Sequence, residues 1–259
     1  MGGEQRELRF GGSLALPAGT VTFLLTDIEG STLHWQAAPG PMAGAVARHY
    51  ELLEEAIAAH GGVRPEEQGE GDSVVAAFSR ASDALAAALT AQRLLHGEPW
   101  PTPEPIKVRM AVHTGEAQLR DVANYVGMAI IRTARLRNIA HGGQVLVSSA
   151  SRDLALDQVG DGLELVDLGE HRLKDLARPE RVYQLTHPDL PSTFEPLRSL
   201  DAVPNNLPLR LSTFIGRQAE LAALGGLPGT SRLVTICGSG GAGKTRLALQ
   251  ASAEAADRY

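Results

Sequence analysis

The segment VTFLLTDIEGST, residues 21–32, predicts more about the fold than any other part of the chain. Its first half is β-branched and apolar, which is typical of a buried strand. The run VTFLLT ends at Asp27, and the small, turn-prone residues Gly30, Ser31 and Thr32 follow. The sequence therefore predicts a strand that brings a carboxylate to one edge of a sheet, next to the start of a helix.

A second segment, EGDSVVAAF at residues 70–78, places another carboxylate beside a strand. Asp72 comes just before the apolar run from Val74 to Phe78. Two carboxylates brought together from separate strand ends form a hard-cation site suited to magnesium and a polyphosphate. Either aspartate alone could be an ordinary turn or capping residue, so the prediction depends on the pair.

The rest of the region from residue 20 to about residue 185 alternates between strand and helix patterns. Ser82 is expected to cap the second helix. The predicted strands cover 20–28, 74–78, 106–117 and 144–148, the helices about 44–60, 82–97 and 127–140, and a closing hairpin 163–185. This order predicts an α+β sandwich in which helices cover a sheet.

Bulk composition excludes several classes of function. The 259 residues carry a net charge of −6, which argues against broad attraction to nucleic acid or to anionic membranes. The single cysteine, Cys237, rules out an internal disulfide. The N-terminus has no signal-peptide pattern, and no apolar run approaches the roughly 18 residues of a membrane span. We therefore expect a soluble, cytoplasmic protein that binds neither membrane nor nucleic acid through this chain.

Three further segments complete a resemblance to a known family. They are VRMAVHTGEA at residues 108–117, NYVGMAIIRTARL at 124–136 and HGGQVLVS at 141–148. With the two aspartate segments, in order and with sensible spacing, they resemble the class III nucleotidyl cyclase family over about residues 19–187. The resemblance implies a ferredoxin-like βαββαβ sandwich that converts ATP to cyclic AMP and pyrophosphate.

The resemblance also implies a metal site and a phosphate site. Two Mg²⁺ or Mn²⁺ ions would be held by Asp27, Asp72 and the backbone carbonyl of Ile28. The amides of Gly30, Ser31 and Thr32, at the start of the following helix, would face phosphate.

Other roles follow from the same resemblance. Arg135 would stabilise the pentavalent phosphorus, as a third catalytic residue beside the two aspartates. Gln68 and Asn124 would recognise the base, and because both are neutral amides, ATP is the expected substrate with GTP as the alternative. In the family the aspartates come from one subunit while the arginine and the asparagine come from the other, so a homodimer is expected.

Ile131 departs from the family pattern. Active relatives carry at this position, four residues before Arg135, an asparagine that orients the ribose. Isoleucine offers no hydrogen bond, and losing one such contact typically costs about 10²–10³ in rate. Two hypotheses remain open: a slow adenylate cyclase, and a catalytically silent module that senses nucleotide and regulates an attached ATPase.

The remainder of the chain divides into a tail, a linker and a second motif. Residues 1–18 are expected to form a flexible tail and the proline-rich residues 188–213 a linker. Next, the motif GSGGAGKT follows an apolar run, residues 232–237, that predicts a strand. It matches the P-loop pattern, in which glycine amides hold phosphate, a lysine reaches the β- and γ-oxygens and a threonine binds magnesium. The expected nucleotide-binding residues are Gly238, Gly243, Lys244 and Thr245.

Residues 214–259 as a whole resemble the entry to the STAND-type P-loop ATPase of large bacterial cyclase-ATPase transcription regulators. They contain the first strand, loop and helix expected of such an α/β domain, without its further strands. We therefore predict weak nucleotide binding and no ATPase activity for this segment.

Overall fold

The computed structural model describes residues 16–66, 71–121, 123–158, 160, 162–200, 216–225, 233–239 and 241–255. The strands are β1 (Gly19–Ile28), β2 (Val74–Phe78), β3 (Val108–Leu119), β4 (Tyr125–Val126), β5 (Val145–Ser148), β6 (Glu164–His171) and β7 (Glu180–Thr186). The helices are α1 (Ser31–Ala37), α2 (Pro39–Ala59), α3 (Ala81–Gly97), α4 (Met128–Asn138), α5 (Ser149–Ala155), α6 (Gln218–Gly225) and α7 (Lys244–Ala255), with a 3-10 helix at Leu156–Gln158.

One mixed sheet organises the domain. Its strand order is β2-β1-β3-β5-β7-β6, and β4 pairs with the end of β3. The β3–β5 pair is parallel, while β1 pairs with β2 and β3 in antiparallel register. The predicted α+β fold with helices covering a sheet is confirmed.

Residues 21–26 of strand β1 are all buried because both faces of the strand are covered. Val21, Phe23 and Leu25 pack with α4 on one face. Leu24 and Ile28 point to the other face, into the core formed with α2 and α3. Successive side chains of a strand alternate between faces, so a strand buried on both sides has no polar alternation.

Several local predictions differ from the structure. Ser82 does not cap α3, since the helix begins at Ala81 and its N-cap residue is Arg80, without a side-chain cap. Between α2 and β2, Val63 forms an isolated bridge with Ala77. Helix α5 and strand β4 were not predicted. Both are short, and neither contains a full period of an apolar pattern.

Residues 188–200, the first part of the predicted linker, contact the domain. The backbone amide of Arg198 donates to the carbonyl of Ile139, at the end of α4, at 3.1 Å. Leu197 is buried with Leu136 and Leu146. The rest of the predicted linker, 201–213, lies outside the described residues.

Residues 232–237, before the P-loop motif, were expected to form a strand, and this prediction is wrong for the residues that the structure describes. Residues 233–239 form no strand, although helix α7 follows as predicted. A strand needs a neighbour to accept and donate its backbone hydrogen bonds, and no described strand pairs with these residues. None of the helices in the described ranges is both long and apolar enough to cross a membrane.

Candidate active site

The end of β1 and the turn before β2 bring Asp27 and Asp72 to the same end of these two paired strands. This region, with Asp27, Ile28 and Asp72, is called the aspartate edge below. The backbone amide of Ile28, the residue after Asp27, donates to Oδ2 of Asp72 at 2.6 Å. Strands β1 and β2 pair from Thr22 with Phe78 to Thr26 with Val74, and this register fixes the two carboxylates near each other.

Arg109 holds the carboxylate of Asp27. It lies directly opposite on β3, and its Nε and Nη2 atoms donate to Oδ1 and Oδ2 at 2.8 and 2.6 Å. Burial opposes the charge of Arg109, but the hydrogen bonds and the negative charge of Asp27 raise its pKa above the ordinary value. Such a two-point pair between a guanidinium and a carboxylate is strong and fixes the orientation of the Asp27 side chain.

Arg137 is a second cation at the same carboxylate. Its Nε lies 3.7 Å from Oδ2 of Asp27, and its Nη1 donates to Oγ of Ser73 at 2.8 Å. Only 15% of its side chain is exposed, and this burial lowers the pKa of Arg137. The C-terminal end of α4 therefore places a largely buried guanidinium beside Asp27.

Glu29, next along the chain, is anchored away from the two aspartates. Its Oε2 accepts from the amide of Gly142 at 3.0 Å, and its Oε1 lies 2.7 Å from Arg198. A Cβ at position 142 would lie 2.5 Å from Cβ of Lys107 and 2.6 Å from Oε2 of Glu29, so only glycine fits. Burial tends to raise the pKa of Glu29, but the bonds from Gly142 and Arg198 lower it overall.

The predicted phosphate segment forms the start of α1. Gly30 is the N-cap residue and has φ of 65°, a left-handed conformation that glycine adopts without strain. Ser31 and Thr32 are the first two residues of the helix. The turn places their backbone directly after the aspartate edge.

Other predicted site residues lie in separate surroundings within one chain. Nη2 of Arg135 forms an ion pair with Asp175 at 2.6 Å, and Nδ2 of Asn124 donates to Asp121 at 3.0 Å. Ile131 is 44% exposed on α4. Gln68 lies outside the described residues.

Divalent metal fits the donor chemistry of the aspartate edge. Asp27, Asp72 and the carbonyl of Ile28 supply only oxygen, which Mg²⁺ prefers. Among the described residues no three His, Cys, Asp or Glu side chains come together as a metal cluster. A metal held here would complete its coordination with water or with oxygens of a bound ligand.

Sequence reasoning missed Arg109 and Arg137. Arg109 lies within the quoted segment VRMAVHTGEA, but its place opposite Asp27 depends on the register between β3 and β1. For Arg137 no local signal existed, because its partner Ser73 is 64 residues away.

In the predicted P-loop, the lysine side chain bonds to backbone carbonyls at the start of the motif. Nζ of Lys244 donates to the carbonyls of Gly238 and Ser239 at 3.0 and 2.8 Å. Gly243 is left-handed, with φ of 72°, and Thr245 follows in the first turn of α7. The side chain of Lys244 thus bonds to the same loop whose backbone amides are expected to bind phosphate.

The chain is similar in sequence to several known proteins. An uncharacterized protein of Mycobacterium tuberculosis is 50% identical over 207 residues, which cover 80% of this chain and 70% of that protein. The adenylate cyclase of Podospora anserina is 28% identical over 232 residues, 68% of this chain but only 11% of that much longer protein.

Solved structures of cyclases share the fold of this chain. A structure of adenylate cyclases from Trypanosoma brucei in their monomeric state superposes with a TM-score of 0.63 at 25% identity. The superposed region covers 73% of this chain and 99% of the Trypanosoma chain. No protein-family profile matches the chain.

Proposed function

Because this chain belongs to one family with the mycobacterial protein and carries a class III adenylate/guanylate cyclase catalytic domain, we propose that it is an adenylate cyclase. It would convert ATP to cyclic AMP and pyrophosphate. The observation that carries the proposal is the 2.6 Å hydrogen bond from the amide of Ile28 to Asp72, which keeps Asp72 next to the end of β1 that carries Asp27.

The proposed reaction is an intramolecular phosphoryl transfer. The ribose 3′-hydroxyl oxygen attacks the α-phosphorus, its proton is lost, and the bond to pyrophosphate breaks. Two Mg²⁺ or Mn²⁺ ions, when bound, would lower the pKa of the hydroxyl and neutralise the triphosphate. Asp27, Asp72 and the carbonyl of Ile28 are the residues that would hold them.

The chain's own cations and amides would bind the rest of the substrate. The triphosphate would approach the backbone at Gly30, Ser31 and Thr32, beside the guanidinium of Arg109. Such preorganised charges around a transferring phosphoryl group are the main source of rate enhancement in this chemistry.

Base recognition and transition-state stabilisation would come from the second subunit of a homodimer. Within one chain Arg135 pairs with Asp175 and Asn124 with Asp121, both away from Asp27. A head-to-tail dimer would bring Arg135 and Asn124 to the partner's aspartates, and Gln68 and Asn124 would be the base-reading amides. ATP is the proposed substrate, and GTP is the alternative.

Product formation from labelled nucleotide tests the proposal. The full chain is incubated with ATP or with GTP in the presence of Mn²⁺, and cyclic nucleotide is separated and counted. We expect cyclic AMP to exceed that of an Asp72→Asn control, with less product from GTP. Equal product from both proteins would refute the cyclase activity.

Ile131 favours a second function, a catalytically silent module that senses nucleotide. The side chain is apolar and 44% exposed at the position where the family orients the ribose. Such a module would bind metal and nucleotide at the aspartate edge and regulate an attached STAND ATPase. Binding of nucleotide without any cyclic product would support this alternative.

A further inference from the structure

The guanidinium of Arg137 spans the two strand ends that carry the aspartates. Its Nη1 donates to Ser73, the neighbour of Asp72, at 2.8 Å, and lies 3.4 Å from the carbonyl of Thr26, the neighbour of Asp27. On the other side, its Nη2 donates to Oδ1 of Asn138 at 3.0 Å, which orients the group. A cation thus already lies between the ends of β1 and β2.

The charges at this edge are balanced within the protein. Arg109 donates to both oxygens of Asp27, and Arg137 adds a second positive charge 3.7 Å from Oδ2. Two carboxylates therefore face two guanidinium groups. A divalent ion entering here would meet positive charge at short range and in partly buried surroundings, where screening by water is weak.

We propose that Arg137 is an internal counter-ion of the metal site, which blocks metal binding at Asp27 until the triphosphate of the substrate draws its guanidinium away. The inference rests on the proposed function, since it concerns the same aspartates. A triphosphate carries several negative charges and offers the guanidinium two-point hydrogen bonds, so it can replace Asp27 and Ser73 as its partner. Metal and nucleotide then bind together, and metal alone binds weakly.

Arg137, rather than Arg109, has this role because of how each contacts Asp27. Arg109 comes from the neighbouring strand and forms a two-point pair that the sheet register fixes. Arg137 comes from α4 and approaches Asp27 without a hydrogen bond to it. It can therefore turn toward a ligand without breaking a bond to the carboxylate, at the cost of its bonds to Ser73, Thr26 and Asn138.

Binding of Mn²⁺ alone, followed by its electron paramagnetic resonance signal without nucleotide, tests the proposal on the full chain. Arg137→Gln should bind Mn²⁺ at least about fivefold more tightly than the wild type, the effect of one unit charge at about 4 Å even in water. Arg137→Lys keeps the charge and should remain weak. Arg181→Gln removes an exposed arginine that pairs with Asp167 on β6, and should change nothing.

A double variant locates the effect. Adding Asp27→Asn to Arg137→Gln should abolish the gain, because the ion would bind through that carboxylate. An Arg137→Gln affinity equal to or below that of the wild type, in protein with an unchanged circular dichroism spectrum, would overturn the proposal, as would no detectable Mn²⁺ binding by this variant. Arg137→Lys distinguishes charge from folding, since a gain in both variants would also overturn it.

The cyclase assay keeps the two proposals separate. Cyclic AMP from the wild type without any gain in Arg137→Gln would refute the counter-ion and leave the cyclase standing. A gain in Mn²⁺ affinity without cyclic product from the wild type would refute the cyclase alone.

Discussion

Ile131 lies on the exposed side of α4, four residues before Arg135, so both side chains extend from the same face of the helix. If the domain turns over ATP slowly because a ribose contact is missing, Ile131→Asn should raise kcat by roughly tenfold, below the about 10²–10³ of an optimised contact. Met128→Asn, at another exposed apolar position of α4, should leave kcat unchanged. No gain in an active protein would show that this helix is placed differently at the substrate.

His49 is fully buried in α2, and among the described residues neither ring nitrogen has a hydrogen-bond partner. Burial lowers its pKa to about 4 from 6.5. Below pH 6.5 the unfolded chain therefore binds a proton that the folded chain excludes, and stability falls as the pH drops toward 4. From pH 7 to pH 5 this histidine should account for about 2 kcal/mol of lost unfolding free energy.

The variant His49→Leu tests this origin of acid sensitivity. It should match or exceed wild-type stability at pH 7, because it removes an unsatisfied buried polar group. It should also lose about 2 kcal/mol less than the wild type between pH 7 and pH 5, as measured by urea unfolding. Leu52→Met, a buried change on the same helix, should alter stability equally at both pH values. An unchanged pH slope in His49→Leu would contradict the assignment.

Among the elements, α5 is anchored by a serine that the sequence pattern did not single out. Oγ of Ser148 accepts from the amide of Ser151 at 3.3 Å and lies 2.8 Å from Nδ1 of the buried His113. Ser148→Ala should cost about 2–4 kcal/mol, for the lost cap and for a histidine nitrogen left unpaired. Ser82→Ala, at the serine wrongly predicted to cap α3, should change stability by less than about 0.5 kcal/mol. Similar losses in thermal unfolding of the two variants would contradict this assignment.

The elements also show what sequence reasoning can reach. Strands β1 and β2 were predicted almost to the residue because a strand buried on both faces has a run rich in apolar and β-branched residues. The two aspartates followed from their places at the ends of these runs. Arg109 and Arg137 did not follow, because their positions beside Asp27 depend on sheet register and helix packing between residues 82 or more than 100 positions apart. Local patterns do not encode such contacts.

At the scale of the whole molecule, residues 188–200 join the domain despite their linker composition. Leu197 is 5% exposed among aliphatic side chains from α4 and the sheet. Leu197→Ala should cost about 2–4 kcal/mol of unfolding free energy, because truncation of a buried leucine leaves a cavity. Leu233→Ala, at a leucine that is 84% exposed, should stay within about 0.5 kcal/mol. Equal effects in urea unfolding would show that the segment contributes nothing to the domain.

The chain carries two candidate nucleotide sites, the aspartate edge and the P-loop, and a change at Lys244 can distinguish their contributions. Its Nζ is bonded to carbonyls of its own loop, and the preceding residues 233–239 form no strand to hold that loop open. A nucleotide must break these bonds before the lysine can reach its phosphates, so we expect weak binding and no ATP hydrolysis here. In an Asp27→Asn background, Lys244→Ala should abolish this weak binding, measured with a fluorescent ATP analogue. In the otherwise wild-type chain, Lys244→Ala should leave cyclic AMP formation unchanged. A fall in cyclic AMP would instead show that the loop is coupled to the aspartate edge. Phosphate release by the wild type above that of Lys244→Ala would contradict the absence of ATP hydrolysis.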